Sequence, residues 1–232
     1  MEQQPVRKKK SLFWIILGIS IALILAAGAF FWLQSTKENP AVNLSFEQCL
    51  AYTTQNRPDV KIGVVVLKNG TSNISFYGNN AERIPYDTYE YEIGSLTKTF
   101  TAALVMRAVE SGAIQLDYPI NRYLLLSNQN DYPTIEQLLT HTSGYKSYYF
   151  ARPMEKNFLS GKNSFYGVTR SAIRHSLNTV SLADTAYPFS YSNFGYAVLG
   201  LILEEMYQTR YTELVNAFAQ QELDMQDTRI SD

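Results

Sequence analysis

Leu12 to Leu33 is an uncharged, mostly apolar run of roughly 22 residues, long enough to cross the hydrocarbon core of a bilayer as one helix. Nothing else in the chain restricts its architecture as strongly, because such a segment finds no comparable environment in a small water-soluble domain. Arg7, Lys8, Lys9 and Lys10 precede it, and the positive-inside rule keeps the N-terminus cytoplasmic. Trp14 and Trp32 lie near its two ends, where aromatic side chains favour the membrane interface. A cleaved signal peptide is the alternative, with Ala27-Gly28-Ala29 as the small-residue cleavage site. Phe30, Phe31 and Trp32 carry the apolar run past that point, which favours an uncleaved anchor. The expected organisation is a basic cytoplasmic tail (1–10), a transmembrane signal-anchor helix (11–34), a polar linker containing Pro40 (35–43) and an extracytoplasmic domain (44–232). This places the protein in the cell membrane as a single-pass chain, N-terminus inside.

The remainder has to build a packed core, and a hydrophobic content of 46% supports one. A formal net charge of −1 offers no electrostatic footprint for nucleic acid. Cys49 is the single cysteine, so no intrachain disulfide forms, and His141 and His175 lie far apart in sequence. The composition therefore points to no metal site.

Hydrophobic periodicity and turn chemistry divide the domain. Ser45 is positioned to cap a helix with Phe46, Cys49, Leu50 and Tyr52 on one side. IGVVVLKNGTSNISFYG, from Ile62, reads as two strands joined at Asn69-Gly70. A helix follows from GSLTKTF, with Phe100, Leu104, Val105, Met106 and Ala108 as its apolar residues and Gly112 as its stop. Thr134 opens a helix through Ile135, Leu138 and Leu139 that ends at His141-Thr142-Ser143-Gly144. Tyr145 to Tyr166 reads as an aromatic loop, and Thr169 to Leu177 as an amphipathic helix. Tyr187 to Asn193 is an extended turn leading into the apolar helix FGYAVLGLILEEMY. The fold class is α+β, and the chain shows no internal repeat.

Ser95 and Lys98 stand three residues apart, on one face of a helix start. A serine hydroxyl is a weak nucleophile until a neighbour takes its proton, and an amine in an apolar setting suits that task. The helix N-terminus also favours developing negative charge. The alternative is an N-cap serine beside a lysine that reaches back to water. Farther on, PFSYSNFGY sets Tyr191 and Asn193 on the same side of an extended backbone, a phenol beside an amide. There the alternative is a packed Tyr191 with Asn193 capping the next helix.

GSLTKTFTAALVMRAVESGAIQLDYPINRYL, TIEQLLTHTSGY and FSYSNFGYAVLGLILE, in this order and spacing, resemble the serine β-lactamase-related family. That family includes class C β-lactamases, penicillin-binding D-alanyl-D-alanine carboxypeptidases and related esterases. ELDMQDT near the end is similar to the family as well, and the likeness spans about residues 44 to 232. The resemblance implies a β-lactamase/transpeptidase-like fold with an antiparallel sheet flanked by helices. It implies that Ser95 is the acylated nucleophile, Lys98 its activating partner, Tyr191 the proton-shuttling phenol and Asn193 a substrate-orienting amide. The Ser95 backbone N–H would form part of the oxyanion hole, with no metal or organic cofactor. His141 belongs, in this resemblance, to a structural turn rather than to the catalytic set. Tyr145, Tyr148, Tyr149, Phe150, Phe158 and Phe165 are expected mainly to pack.

The family's third motif, Lys or His followed by Thr or Ser and then Gly, does not occur after Asn193. It would supply a carboxylate clamp and a second oxyanion donor, and losing one such donor costs about a hundredfold to a thousandfold in rate. Its strand would also join C-terminal strands that pair with the hairpin. Without them the hairpin is expected to show an unpaired edge and a bare apolar face. A fragment, a truncated reading frame and a degenerate domain all fit, and truncation is the expectation because everything before Asp232 looks intact. The expected activity is an acyl-enzyme hydrolase acting on cell-wall D-alanyl peptides, β-lactams or esters. The competing reading is an inactive penicillin-binding or sensor module without turnover.

Overall fold

A computed structural model of the chain describes residues 28–29, 43–85, 89–126, 131–149, 152–183 and 186–231. The expected tail and anchor (1–34) and linker (35–43) lie outside these residues, apart from 28–29 and 43. Among the described residues no helix is long and apolar enough to cross a membrane. The chain separates into two compact units, the first ending at Glu90 and the second starting at Tyr91. Strands belong to the first and most helices to the second, so the α+β class holds.

The first unit opens with α1 (Phe46–Thr54), capped as its sequence dictates. The Ser45 hydroxyl accepts from the Gln48 N–H while the Gln48 side chain accepts from the Ser45 N–H, a reciprocal capping box. Leu50 is buried, but Phe46 and Tyr52 are more than half exposed, so the expected apolar side is covered only in part. β1 (Ile62–Lys68) and β2 (Thr71–Tyr77) pair antiparallel across Asn69-Gly70, both with positive φ as a tight hairpin turn requires. A short β3 (Arg83–Ile84) adds to β2, giving the order β1-β2-β3. β1 has no second strand partner among the described residues. Val65 and Ile74, directly opposite each other, are 65% and 56% exposed, and Leu67 on the same face is 73% exposed. The open edge and bare apolar face read from the sequence are therefore present.

The second unit is built around two long helices, α2 (Thr97–Glu110) and α6 (Asn193–Tyr207). Between them come α3 (Ile135–Leu139), α4 (Arg152–Leu159) and α5 (Arg170–Thr179); α7 (Tyr211–Ala217) follows and continues into a π-helical turn, Phe218–Glu222. Leu104, Val105 and Ala108 of α2 join Val198, Leu199, Ile202 and Leu203 of α6 in the core, with Ile135, Leu138 and Leu177 completing it. Each buried Leu, Ile or Val among these contributes about 1.5–3 kcal/mol through removal from water. Met106, expected with the apolar residues of α2, is 41% exposed because it projects away from this core.

Two local expectations change. The segment read as a loop from Tyr145 to Tyr166 contains α4, whose buried contribution to the core is Met154. Asn193 does not cap α6; Ser192 does, its hydroxyl accepting from the Gly195 N–H at 2.9 Å. Asn193 is the first residue of that helix, which releases its side chain for another use.

Candidate active site

Three segments of the second unit converge on one cleft. The first is a 3-10 turn, Gly94–Leu96, that leads directly into α2 and carries Ser95 at its centre. Gly94 has φ +51, a left-handed conformation that glycine adopts without steric cost, so the chain can bend sharply just before the serine. Lys98 lies one turn later inside α2, and the two side chains meet: Lys98 Nζ is 3.4 Å from Ser95 Oγ.

The second segment is the extended stretch before α6. Tyr191 donates its phenolic hydrogen to Ser95 Oγ at 2.8 Å. Lys98 Nζ sits 4.8 Å from the centre of the Tyr191 ring, and it donates to Asn193 Oδ1 at 2.7 Å. All four residues singled out from the sequence are thus in one hydrogen-bonded cluster. Ser95 is exposed, Tyr191 is 42% exposed, and Lys98 is half-buried, so the lysine does not simply extend into water.

The third segment, from α3 into the following loop, supplies residues the sequence reading left outside the site. Ser147 Oγ accepts from Asn193 Nδ2 at 3.1 Å, while the Ser147 carbonyl accepts from the Phe194 N–H at 2.9 Å. Asn193 is therefore engaged at both ends of its amide, by Lys98 and by Ser147. Tyr196 places its ring 5.7 Å from Lys98 Nζ and donates to the Leu139 carbonyl at 3.1 Å. Its position was readable, since Tyr196 stands three residues after Asn193 on the same helix face. No sequence signal marks Ser147. His141 packs on the Tyr191 ring with centroids 4.6 Å apart.

The cleft over these groups has a volume of about 500 Å³, and Ile93, Leu96, Thr99 and Ala102 complete its walls. Lys98, the larger influence, and the Ser95 hydroxyl hold the Tyr191 phenol below the ordinary tyrosine value. Burial pushes Tyr196 in the opposite direction, helped by its neighbour Tyr191. Two phenols on one lysine are thus driven apart, and the one touching Ser95 is the more acidic. Among the described residues no group of three or more His, Cys, Asp or Glu side chains gathers to hold a metal ion.

Of the aromatic residues between 145 and 166, Tyr145 is buried and stacks edge-on against Phe194 at 5.2 Å. Tyr149 packs on the same Phe194 ring at 4.8 Å, so these two do the packing work expected of the segment. Phe158 is 75% exposed and does not share it, and Phe150 lies outside the described residues.

The beta-lactamase family profile matches residues 62–232, most of the chain. The chain belongs to the beta-lactamase family. Among curated relatives it is 30% identical over 133 residues to Protein flp of Staphylococcus aureus (strain COL), an alignment covering 55% of this chain and 25% of that protein. The chain thus spans about a quarter of the length of that relative. Among solved structures it is similar to the octameric penicillin-binding protein homologue from Pyrococcus abyssi. That match has 28% identity and a TM-score of 0.58, and covers 72% of this chain and 39% of the other. The beta-lactamase/D-alanine carboxypeptidase from Yersinia pestis shares the fold at 20% identity and a TM-score of 0.64, covering 79% and 52% of the two chains. Within this beta-lactamase family the fold is the β-lactamase/transpeptidase-like α+β type.

The segment carrying Tyr191 is anchored upstream by a close approach at Gly144. Gly144 has φ +77, and a Cβ there would fall 2.5 Å from the Tyr187 ring. Gly144→Ala should therefore cost about 2 kcal/mol or more, from left-handed backbone strain plus displacement of that ring. Thermal unfolding would read this as a lowered midpoint; an unchanged midpoint would show that Tyr187 moves aside freely.

Proposed function

We propose that the protein is a membrane-anchored, extracytoplasmic serine hydrolase that works through an acyl-enzyme on D-alanyl peptides, β-lactams or esters. The observation that carries this is the Tyr191 hydroxyl on Ser95 Oγ at 2.8 Å, with Lys98 Nζ beside both. Family membership supplies the reaction class, and the apolar run Leu12–Leu33 behind Arg7–Lys10 supports the anchor and its direction.

The chemistry follows from the geometry. With Tyr191 as the phenolate that the adjacent Lys98 favours, the hydrogen bond between the two oxygens runs from Ser95 to Tyr191, and Ser95 Oγ attacks the substrate carbonyl as its proton passes to the Tyr191 oxygen. Charge developing on the carbonyl oxygen meets the Ser95 N–H at the mouth of α2, where the helix dipole favours it. The carbonyl carbon–nitrogen or carbon–oxygen bond then breaks, and the proton on Tyr191 transfers to the leaving atom. Water attacks the resulting ester and releases the acid, returning Ser95. Asn193, engaged by Lys98 and Ser147, acts in this scheme by fixing the lysine, and its remaining amide hydrogen is the group available to a substrate carbonyl.

Incubation with a fluorescent penicillin, followed by peptide mapping, tests the reading. A covalent adduct on the peptide containing Ser95 is the expected result. An adduct that forms and never turns over would favour the penicillin-binding or sensor module, and p-nitrophenyl ester hydrolysis without any lactam adduct would point to an esterase. No adduct and no ester hydrolysis would overturn the hydrolase reading.

A further inference from the structure

His141 has none of the contacts of a base for Ser95, yet it holds Tyr191 from two directions. It follows the end of α3 with φ +58, a left-handed conformation that non-glycine residues adopt rarely and that tends to persist at functional sites. That backbone turn aims two acceptors at one short stretch of chain. The His141 carbonyl accepts from the Ser190 N–H at 2.8 Å, and its ring Nδ1 accepts from the Ser192 N–H at 3.1 Å. In an extended backbone alternate N–H groups point the same way, so one residue captures both donors that flank Tyr191. The imidazole ring then lies against the Tyr191 ring at 4.6 Å and the Tyr196 ring at 5.0 Å.

We propose that His141 is the positioning residue that fixes the Tyr191 phenol on Ser95, and that it does so only in its neutral form, with Nδ1 as acceptor. This rests on the acyl-enzyme reading above. Protonation would convert Nδ1 from an acceptor into a donor facing the donor N–H of Ser192, and the clasp would open. The titratable groups facing the ring are Lys98 from α2, Tyr191 from the extended stretch and Tyr196 from α6, and Phe189 meets it edge-on at 5.7 Å. Burial, and then the positive charge of Lys98, keep His141 below its ordinary value of 6.5. The sign is therefore fixed: the clasp is closed at neutral pH and is lost as pH falls through a point below 6.5.

Two variants and two readouts test this on the full chain. His141→Phe keeps an aromatic ring and removes the acceptor; His141→Asn keeps a short acceptor, tolerates φ > 0 and does not titrate. In the wild type the Ser192 amide proton should exchange slowly, and the acylation rate with a penicillin should fall on the acid side. His141→Phe should lose the Ser192 protection and acylate about a hundredfold more slowly, the usual cost of a misplaced catalytic group. His141→Asn should recover most of the rate and lose the extra fall in rate that His141 protonation adds below 6.5, leaving only the rise that Tyr191 sets. Wild-type exchange protection and rate in His141→Phe, or an unaltered acid limb in His141→Asn, would overturn the proposal. If the wild type forms no adduct, the hydrolase reading fails instead, and amide exchange at Ser192 still decides whether His141 holds this segment. Should His141→Phe fail to fold, the acid limb and amide exchange of His141→Asn decide alone.

Discussion

Ser95→Ala should abolish covalent labelling by a penicillin while leaving the fold intact. The Ser95 hydroxyl is approached by both a phenol and an amine, the two groups that would take and return its proton. In enzymes of this reaction class, deletion of the nucleophile removes the covalent step and costs on the order of a millionfold in turnover. Ser95 is exposed, and its removal leaves no buried donor or acceptor unpaired, so stability should stay within about 0.5 kcal/mol of the wild type. Labelling gels and thermal unfolding, run on the same preparation, separate the two effects. A persistent adduct in Ser95→Ala would show that another residue is acylated.

Lys98→Ala should come second in effect, with acylation slowed by about a hundredfold to ten-thousandfold, the range for loss of a positioned acid–base group. Four contacts disappear at once: those to Ser95 and Asn193 and the charge beside the Tyr191 and Tyr196 rings. The loss of that charge gives a separate signature, because Lys98 is the main reason the Tyr191 phenol is held below its ordinary value. Tyr191 should therefore titrate higher in Lys98→Ala, and the pH at which acylation rises should move upward with it. NMR of ring-labelled tyrosine would follow the first shift and single-turnover kinetics the second. Lys98→Arg is expected to rescue poorly, since a planar guanidinium cannot occupy the point between Ser95, Asn193 and two rings that an ammonium fills. A rate within twofold of wild type in Lys98→Ala would remove the lysine from the mechanism.

The sequence was most legible where a few adjacent residues fix the backbone. Asn69-Gly70 specified the hairpin turn, and Thr134 with Gln137 forms the capping box that opens α3. The turn and helix start carrying Ser95 and Lys98 were legible for the same reason, since the two residues lie within one turn of each other. Contacts that join distant stretches were less so. Asn193 and Lys98 are separated by 95 positions, and only the folded chain shows that the amide holds the lysine. Ser147, between Lys146 and Tyr148 in an aromatic stretch, carries no local mark of its role. α4, with Phe158 as its one aromatic residue, was absorbed into the aromatic-rich segment around it, although Pro153 near its start is a permitted opening residue.

The placement of Asn193 has one further consequence. It opens α6, in which eight residues from Phe194 to Leu203 are buried, so the group that steadies the lysine is rooted at the start of a helix held in the core. Fraying of a surface loop would not release it. Loss of acylation with added denaturant should therefore coincide with cooperative melting of this helical unit, rather than precede it as it does in enzymes whose reactive groups ride on loosely attached flaps.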